Sequence, residues 1–184
     1  LTALVILGIR NKNDFPLIFY RENCADMALS TNDIDKKFIS RAKCVCATGT
    51  HLSNVNVEGA TIKAISIARK LKKKTVLDID FRPNLWGLSD HNDGENRYIK
   101  SSEVTKKLQK NLRLFDLIVG TEEEFHIAGG INHTIKALKN VRSLTEAVLV
   151  CKRGPYGASI FENTIKSNLE KGITGRNFKI EVFN

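Results

Sequence analysis

The chain has 184 residues, 42% apolar and 27% charged, which suits one globular domain or a large piece of one and excludes wholesale disorder. Lys and Arg number 29 against 20 Asp and Glu, a formal charge of +9. The dense basic run, Lys70 with Lys72, Lys73 and Lys74, ends a helix-like stretch, and no basic stripe is interleaved with aromatics. A solvated basic surface is therefore favoured over a nucleic-acid site, and no apolar run is long enough to span a bilayer.

Leu1–Ile9 and Phe15–Tyr20 flank the polar turn Asn11-Lys12-Asn13-Asp14 and predict a β-hairpin. The opening LTALVILGIR lacks a basic leader and a small-residue cleavage site, so no signal peptide is expected. Beyond it, short β-branched runs alternate with helical periods. The strand candidates are Cys44–Thr48, Thr75–Ile79, Asp116–Val119 and Ala147–Cys151. In Asn54–Lys74, the residues Val57, Ala60, Ala64, Ile65, Ala68 and Leu71 recur as on one helix face. Ser101–Leu112 predicts a shorter helix with Ser101 or Ser102 as N-cap. Thr121–Ala128 and Thr134–Val141 predict two helices split by Gly129-Gly130. Ala158–Phe161 and Phe178–Phe183 read as further strands.

This order calls for right-handed crossovers and a mainly parallel, doubly wound α/β sheet with helices on both faces. One partial domain over 1–184 is expected, with a lid-like hairpin and following segment in 1–29 and the α/β core in 40–184. Cys24, Cys44, Cys46 and Cys151 include no C-x-x-C pair, and no His sits at metal spacing, so buried free thiols in a reducing cytosol are expected.

Ligands of such sheets bind beyond the carboxyl ends of the strands, so the residues there are the candidates. Thr48-Gly49-Thr50-His51 is neither a G-x-G-x-x-G fingerprint nor a P-loop; its glycine allows close approach of a ligand or a tight turn. Asp78, Asp80 and Arg82 alternate and so share one face of an extended segment. They suit a polyhydroxylated anion, or a structural ion pair capping the strand. Trp86 is read as packing rather than a stacking platform. Thr121 and Glu124 have the spacing of a capping box, with a magnesium-facing acid as the functional alternative. Lys152, Gly154 and Gly157 form either a phosphate-holding turn or a common hairpin. Tyr20 and Arg21 either close over a substrate or belong to edge-strand surface.

Together, FYRENCADMAL (19–29), TGTHLS (48–53), VLDIDFRPNLWGL (76–88), DLIVGTEEEFHIAGG (116–130) and VLVCKRGPYGA (148–158) resemble the ribokinase-like (PfkB) sugar kinases, in particular their inositol-catabolism branch. The resemblance implies a doubly wound α/β fold with a small β lid, and transfer of the ATP γ-phosphate to a primary hydroxyl of a keto-deoxy sugar acid. It implies Mg2+, a cytoplasmic location, no nucleic-acid or membrane partner, and a homodimer through the lid. Tyr20 and Arg21 would face the sugar acid. Asp80 and Arg82 fall on the D-x-N-x-R segment, with Asp80 in place of the more usual Asn. Thr121 and Glu124 fall on the N-x-x-E motif, Thr121 replacing its Asn, with Glu124 meeting magnesium through water. Lys152, Gly154 and Gly157 fall on the loop against the nucleotide. The hallmark [DN]-[TV]-x-G-A-G-D, which carries the catalytic Asp, does not occur in the sequence and is expected just beyond Asn184. The chain, which opens on Leu1 rather than Met, is accordingly read as a central fragment that is inactive alone.

Overall fold

A computed structural model describes residues 2–9, 11, 17–20, 23–89 and 98–169. Arg21, most of the predicted hairpin turn, the strand expected over Phe178–Phe183 and Asn184 lie outside the described residues. The hairpin forms: β1 (Leu4–Leu7) pairs antiparallel with β2 (Leu17–Tyr20), Leu4 opposite Tyr20 and Leu7 opposite Leu17. Three-ten turns at Ala25–Ala28 and Thr31–Asp33 and a short helix α1 (Lys36–Arg41) follow. No apolar periodicity marks these in the sequence. Their starts are polar instead: Ser30 and Asp33 make a capping box, and Asp35 caps α1 by accepting from the Lys37 amide at 2.7 Å.

The main sheet has five strands in sequential order. β3 (Cys44–Thr48), β4 (Lys74–Asp78), β5 (Leu117–Thr121) and β6 (Val148–Lys152) are parallel, and β7 (Ala158–Phe161) returns antiparallel to β6. Helix α2 (Val55–Lys70) joins the first two, α3 (Ser102–Asn111) the next, and α4 (Glu122–Gly129) with α5 (Thr134–Arg142) the last parallel pair. The N-caps are Asn54, Ser101, Thr121 and His133, each accepting from a backbone amide of the first turn. α2 stops four residues short of the predicted Lys74. Lys72 adopts φ 54°, and the amides of Lys72 and Lys73 bond back to the carbonyls of Arg69 and Ala68, both at 2.9 Å. This is a Schellman ending built on a lysine, where no glycine announces it.

Burial alternates along β4, β5, β6 and β7. Thr75, Leu77, Ile118, Leu149, Cys151 and Ser159 are completely covered. They face Ile65 of α2, Leu108 of α3, Phe125 of α4 and Leu138 of α5 in one apolar core. Each such side chain contributes about 1.5–3 kcal/mol when removed from water. The other face carries Val76, Val119, Val150 and Ile160, all partly exposed, and Cys44 and Cys46, which are exposed. The expectation of helices on both faces is thus met on one face by the described residues. The reason is topological: right-handed crossovers between strands laid down in one direction all pass on the same side.

Gly49, just past β3, has its purpose in the fold: a Cβ there would collide with the Ile79 carbonyl oxygen of the neighbouring strand end. The close approach is between two backbones rather than to a ligand.

The expectation of four buried thiols is corrected for two of them. Cys24 and Cys151 are buried, but Cys44 and Cys46 are exposed, because among the described residues β3 lies at the sheet edge and no helix covers their face. Burial pushes the Cys151 thiol up to about 12, and desolvation followed by repulsion from Cys44 and Asp78 raises Cys46. Titration of the native chain with a disulfide reagent near neutral pH should therefore modify Cys44 and Cys46 and spare Cys24 and Cys151 until urea is added. Immediate reaction of all four would contradict this packing.

Candidate functional site

The carboxyl ends of four adjacent parallel strands carry two linked groups of polar side chains. At the end of β3, the Thr48 and Thr50 hydroxyls lie 2.7 Å apart, and Thr50 Oγ1 donates to Asp80 Oδ2 at 3.3 Å. Asp80 Oδ1 meets Arg82 Nη2 at 2.7 Å. Asp78 Oδ1, on the last residue of β4, accepts from Lys152 Nζ at 3.2 Å, and Lys152 comes within 3.8 Å of Glu124 Oε2.

Local backbone geometry explains the division of these contacts. The ladder runs one residue beyond β4, where the Ile79 amide donates to the Val119 carbonyl at 2.8 Å. Asp80 then turns into the left-handed region at φ 37°, an uncommon conformation outside glycine that Asp tolerates better than most residues. The segment is therefore not extended through Asp80, as simple alternation had implied. Asp78 turns to Lys152, while Asp80 turns to Arg82 and Thr50. Pro83–Trp86 forms a three-ten turn after it, and Trp86 packs against the core with the Lys107 ammonium 5.6 Å from its ring, as the packing reading expected.

Thr121 and Glu124 form the predicted capping box. Glu124 Oε2 accepts from the Thr121 amide at 2.7 Å, and the Glu124 amide donates to Thr121 Oγ1 at 3.3 Å. Glu124 does more than close its own helix: Oε1 accepts from the Phe81 amide at 3.3 Å, across from the adjacent strand end. Its side chain is 8% exposed. Burial raises its pKa, opposed by the Thr121 amide and Lys152.

Gly154 and Gly157 take positive φ values of 54° and 79°, bracketing the turn Gly154–Tyr156. A Cβ at either position would meet nothing within 4 Å among the described residues. Beyond it, an open cleft of about 550 Å³ is bounded by Glu122, His133, Thr134 and Arg153. There Thr134 Oγ1 donates to Glu122 Oε2 at 2.8 Å and lies 2.9 Å from His126 Nε2. No local sequence pattern marks this cluster, which depends on α5 folding back against α4.

Tyr20 stands exposed on β2. Beyond its own pairing, the hairpin shares no extensive contact with another element among the described residues. The groups at the strand ends are built without Tyr20, and Arg21 lies outside the described residues. Thr50 and Thr48 join the first group although only their place at a strand end marked them.

The donor set does not fit a directly bound magnesium ion. Each Glu124 oxygen already accepts a backbone amide, and no group of three or more His, Cys, Asp or Glu side chains suited to a metal gathers among the described residues. The Lys152 ammonium beside the glycine loop offers charge to an anion instead.

Because Glu124 has a folded-state pKa above its unfolded value, its contribution to stability is fully present below the unfolded pKa and is lost as pH rises through the folded one. Lys152→Met removes a cation that opposes this shift. The variant should lose about 1 kcal/mol at neutral pH, a figure already reduced for solvent screening of the part-exposed ammonium. The loss should be smaller at acid pH, where Glu124 takes up a proton, than at neutral pH. Urea midpoints at the two pH values check this, and a pH-independent difference would contradict it.

No family model matches the sequence. A curated relative from Geobacillus kaustophilus, named 5-dehydro-2-deoxygluconokinase, is 34% identical over 124 residues, which make up 67% of this chain and 33% of the relative. Among solved structures, the PfkB protein from Polaromonas sp. JS666 superposes with a TM-score of 0.68 at 19% identity, over 86% of this chain and 50% of that one. The fructokinase from Vibrio cholerae O395, solved with fructose, ADP and calcium ion, gives 0.67 at 18% identity, over 87% of this chain and 47% of that one. The chain thus spans between a third and a half of the length of these relatives. Parallel strand order, polar groups at the strand ends and this kinship in sequence agree: the chain belongs to the ribokinase-like (PfkB) carbohydrate kinase family.

Proposed function

We propose that the chain is the central part of an ATP-dependent kinase that phosphorylates 5-dehydro-2-deoxy-D-gluconate on its primary hydroxyl, a step of inositol breakdown in the cytoplasm. The observation that carries this reading is the ordering of charge along the strand ends. The Asp80–Arg82 pair stands at one end, and Lys152 with the Gly154–Gly157 loop stands at the other. Arg82 would hold the sugar-acid carboxylate in a charge-assisted pair, and Asp80 and Thr50 would accept or donate to its hydroxyls. Lys152 would exchange Asp78 for nucleotide phosphate, with Gly154 and Gly157 leaving room for the triphosphate beside Thr121. Tyr20, on the hairpin, together with Arg21 would close over the sugar side and supply the contact to a second copy.

Phosphoryl transfer also needs a base to orient the attacking hydroxyl and donors around the moving phosphoryl group. No G-A-G-D run occurs in these residues. The 184-residue chain should accordingly show no sugar-acid-dependent turnover of ATP, while a longer protein that continues into such a run should. A substrate panel on that longer protein should rank the 5-dehydro-2-deoxy acid above 2-dehydro-3-deoxygluconate and fructose. Arg82→Met should weaken the acid by about 10–100-fold, as expected when a charged hydrogen bond is lost. A continuation without G-A-G-D, or a preference for fructose unaffected by Arg82→Met, would overturn the reading.

A further inference from the structure

We propose that Glu124 is a positioning residue for the sugar end of the site, holding Asp80 in its left-handed turn. The inference rests on the kinase reading above for the names of the two ends, but its structural core does not.

The carboxylate spans two strand ends. Oε2 accepts from the Thr121 amide at 2.7 Å and Oε1 from the Phe81 amide at 3.3 Å. The Phe81 amide belongs to the peptide that follows Asp80. A non-glycine residue at φ 37° persists only where its surroundings determine it. Here the preceding anchor is the Ile79 amide on the Val119 carbonyl, and the following anchor is Glu124. The Phe81 ring, 2% exposed, sits in the core and prevents the peptide from swinging out. Held between these points, the Asp80 carboxylate reaches Arg82 at 2.7 Å and Thr50 at 3.3 Å.

The neighbouring strand is shaped around this carboxylate. A Cβ on Gly120 would come within 2.8 Å of Ile79 Cδ1, 3.3 Å of Glu124 Cβ and 3.4 Å of Glu124 Oε2. Glycine there leaves space for Ile79 and Glu124 together. A helix cap alone would need only the contact to Thr121; the second oxygen, directed at the peptide after Asp80, is what a cap does not require.

Glu124→Gln separates the possibilities. Its single carbonyl oxygen should stay toward the Thr121 amide and Lys152, leaving the Gln NH2 against the Phe81 amide. Amide hydrogen exchange of the chain without ligand should then show Phe81 at least about tenfold faster than in the native chain, with Leu77 unchanged. Titration calorimetry should show binding of 5-dehydro-2-deoxy-D-gluconate weakened about tenfold and that of magnesium–AMP-PNP changed less than about threefold. Glu124→Asp, too short to reach both amides, should follow the same pattern.

Weaker nucleotide binding with unaltered acid binding would overturn the proposal in favour of a metal-facing role. Equal weakening of both ligands, or unaltered Phe81 exchange, would overturn it as well. Should the variants fail to fold, the native chain decides: a Phe81 amide exchanging at the rate of an open loop overturns the proposal, and one as slow as that of Ile79 supports it. Native protein that binds neither ligand would count against the kinase reading, while the exchange result would still decide whether Glu124 holds the turn.

Discussion

A carboxylate buried as deeply as Glu124 needs hydrogen-bond donors on both oxygens, and here they come from two different strand ends. That requirement joins the last residue of β5 to the turn after β4, and the Lys152 ammonium brings in β6. The candidate site is therefore a set of backbone ends held in register by one side chain. Beside it stand glycine at position 120, a left-handed Asp80 and the Asp80–Arg82 ion pair.

The sheet supplies the platform for that constraint, and it is finished on one side. Its buried rows meet four helices in a continuous apolar core, whereas Val76, Val119, Val150 and Ile160 remain partly open on the opposite face. The matched part is between a third and a half of each relative, so these relatives are up to about twice as long as this chain. A β-sheet with apolar residues on both faces is the pattern of a strand layer buried between two layers of helices.

Much of the fold was legible because its signals are local. The β-branched runs at Cys44–Thr48 and around Ile118 and Leu149 could be located from composition, and the helix starts at Asn54, Ser101 and Thr121 from their capping side chains. What escaped was structure with no periodic apolar signal. Helix α1 is too short for one, and the Schellman ending at Lys72 uses a residue type that does not advertise it. In the site, Asp80, Arg82, Lys152 and the two loop glycines could be selected because they follow strands. Which acid pairs with which cation could not be selected, since alternation assumes extended backbone and Asp80 departs from it.

The 184 residues and their normal apolar content by themselves determined that a real core exists, that strands and helices alternate, and where along the chain the polar ends would fall. These depend on propensity, capping and periodicity, which act over a few residues. Only the tertiary structure decided that Cys44 and Cys46 face solvent, that Asp78 turns to Lys152, and that Glu124 reaches across to the Phe81 amide. Those outcomes depend on strand order and on contacts between residues as much as 74 positions apart, which no local pattern encodes.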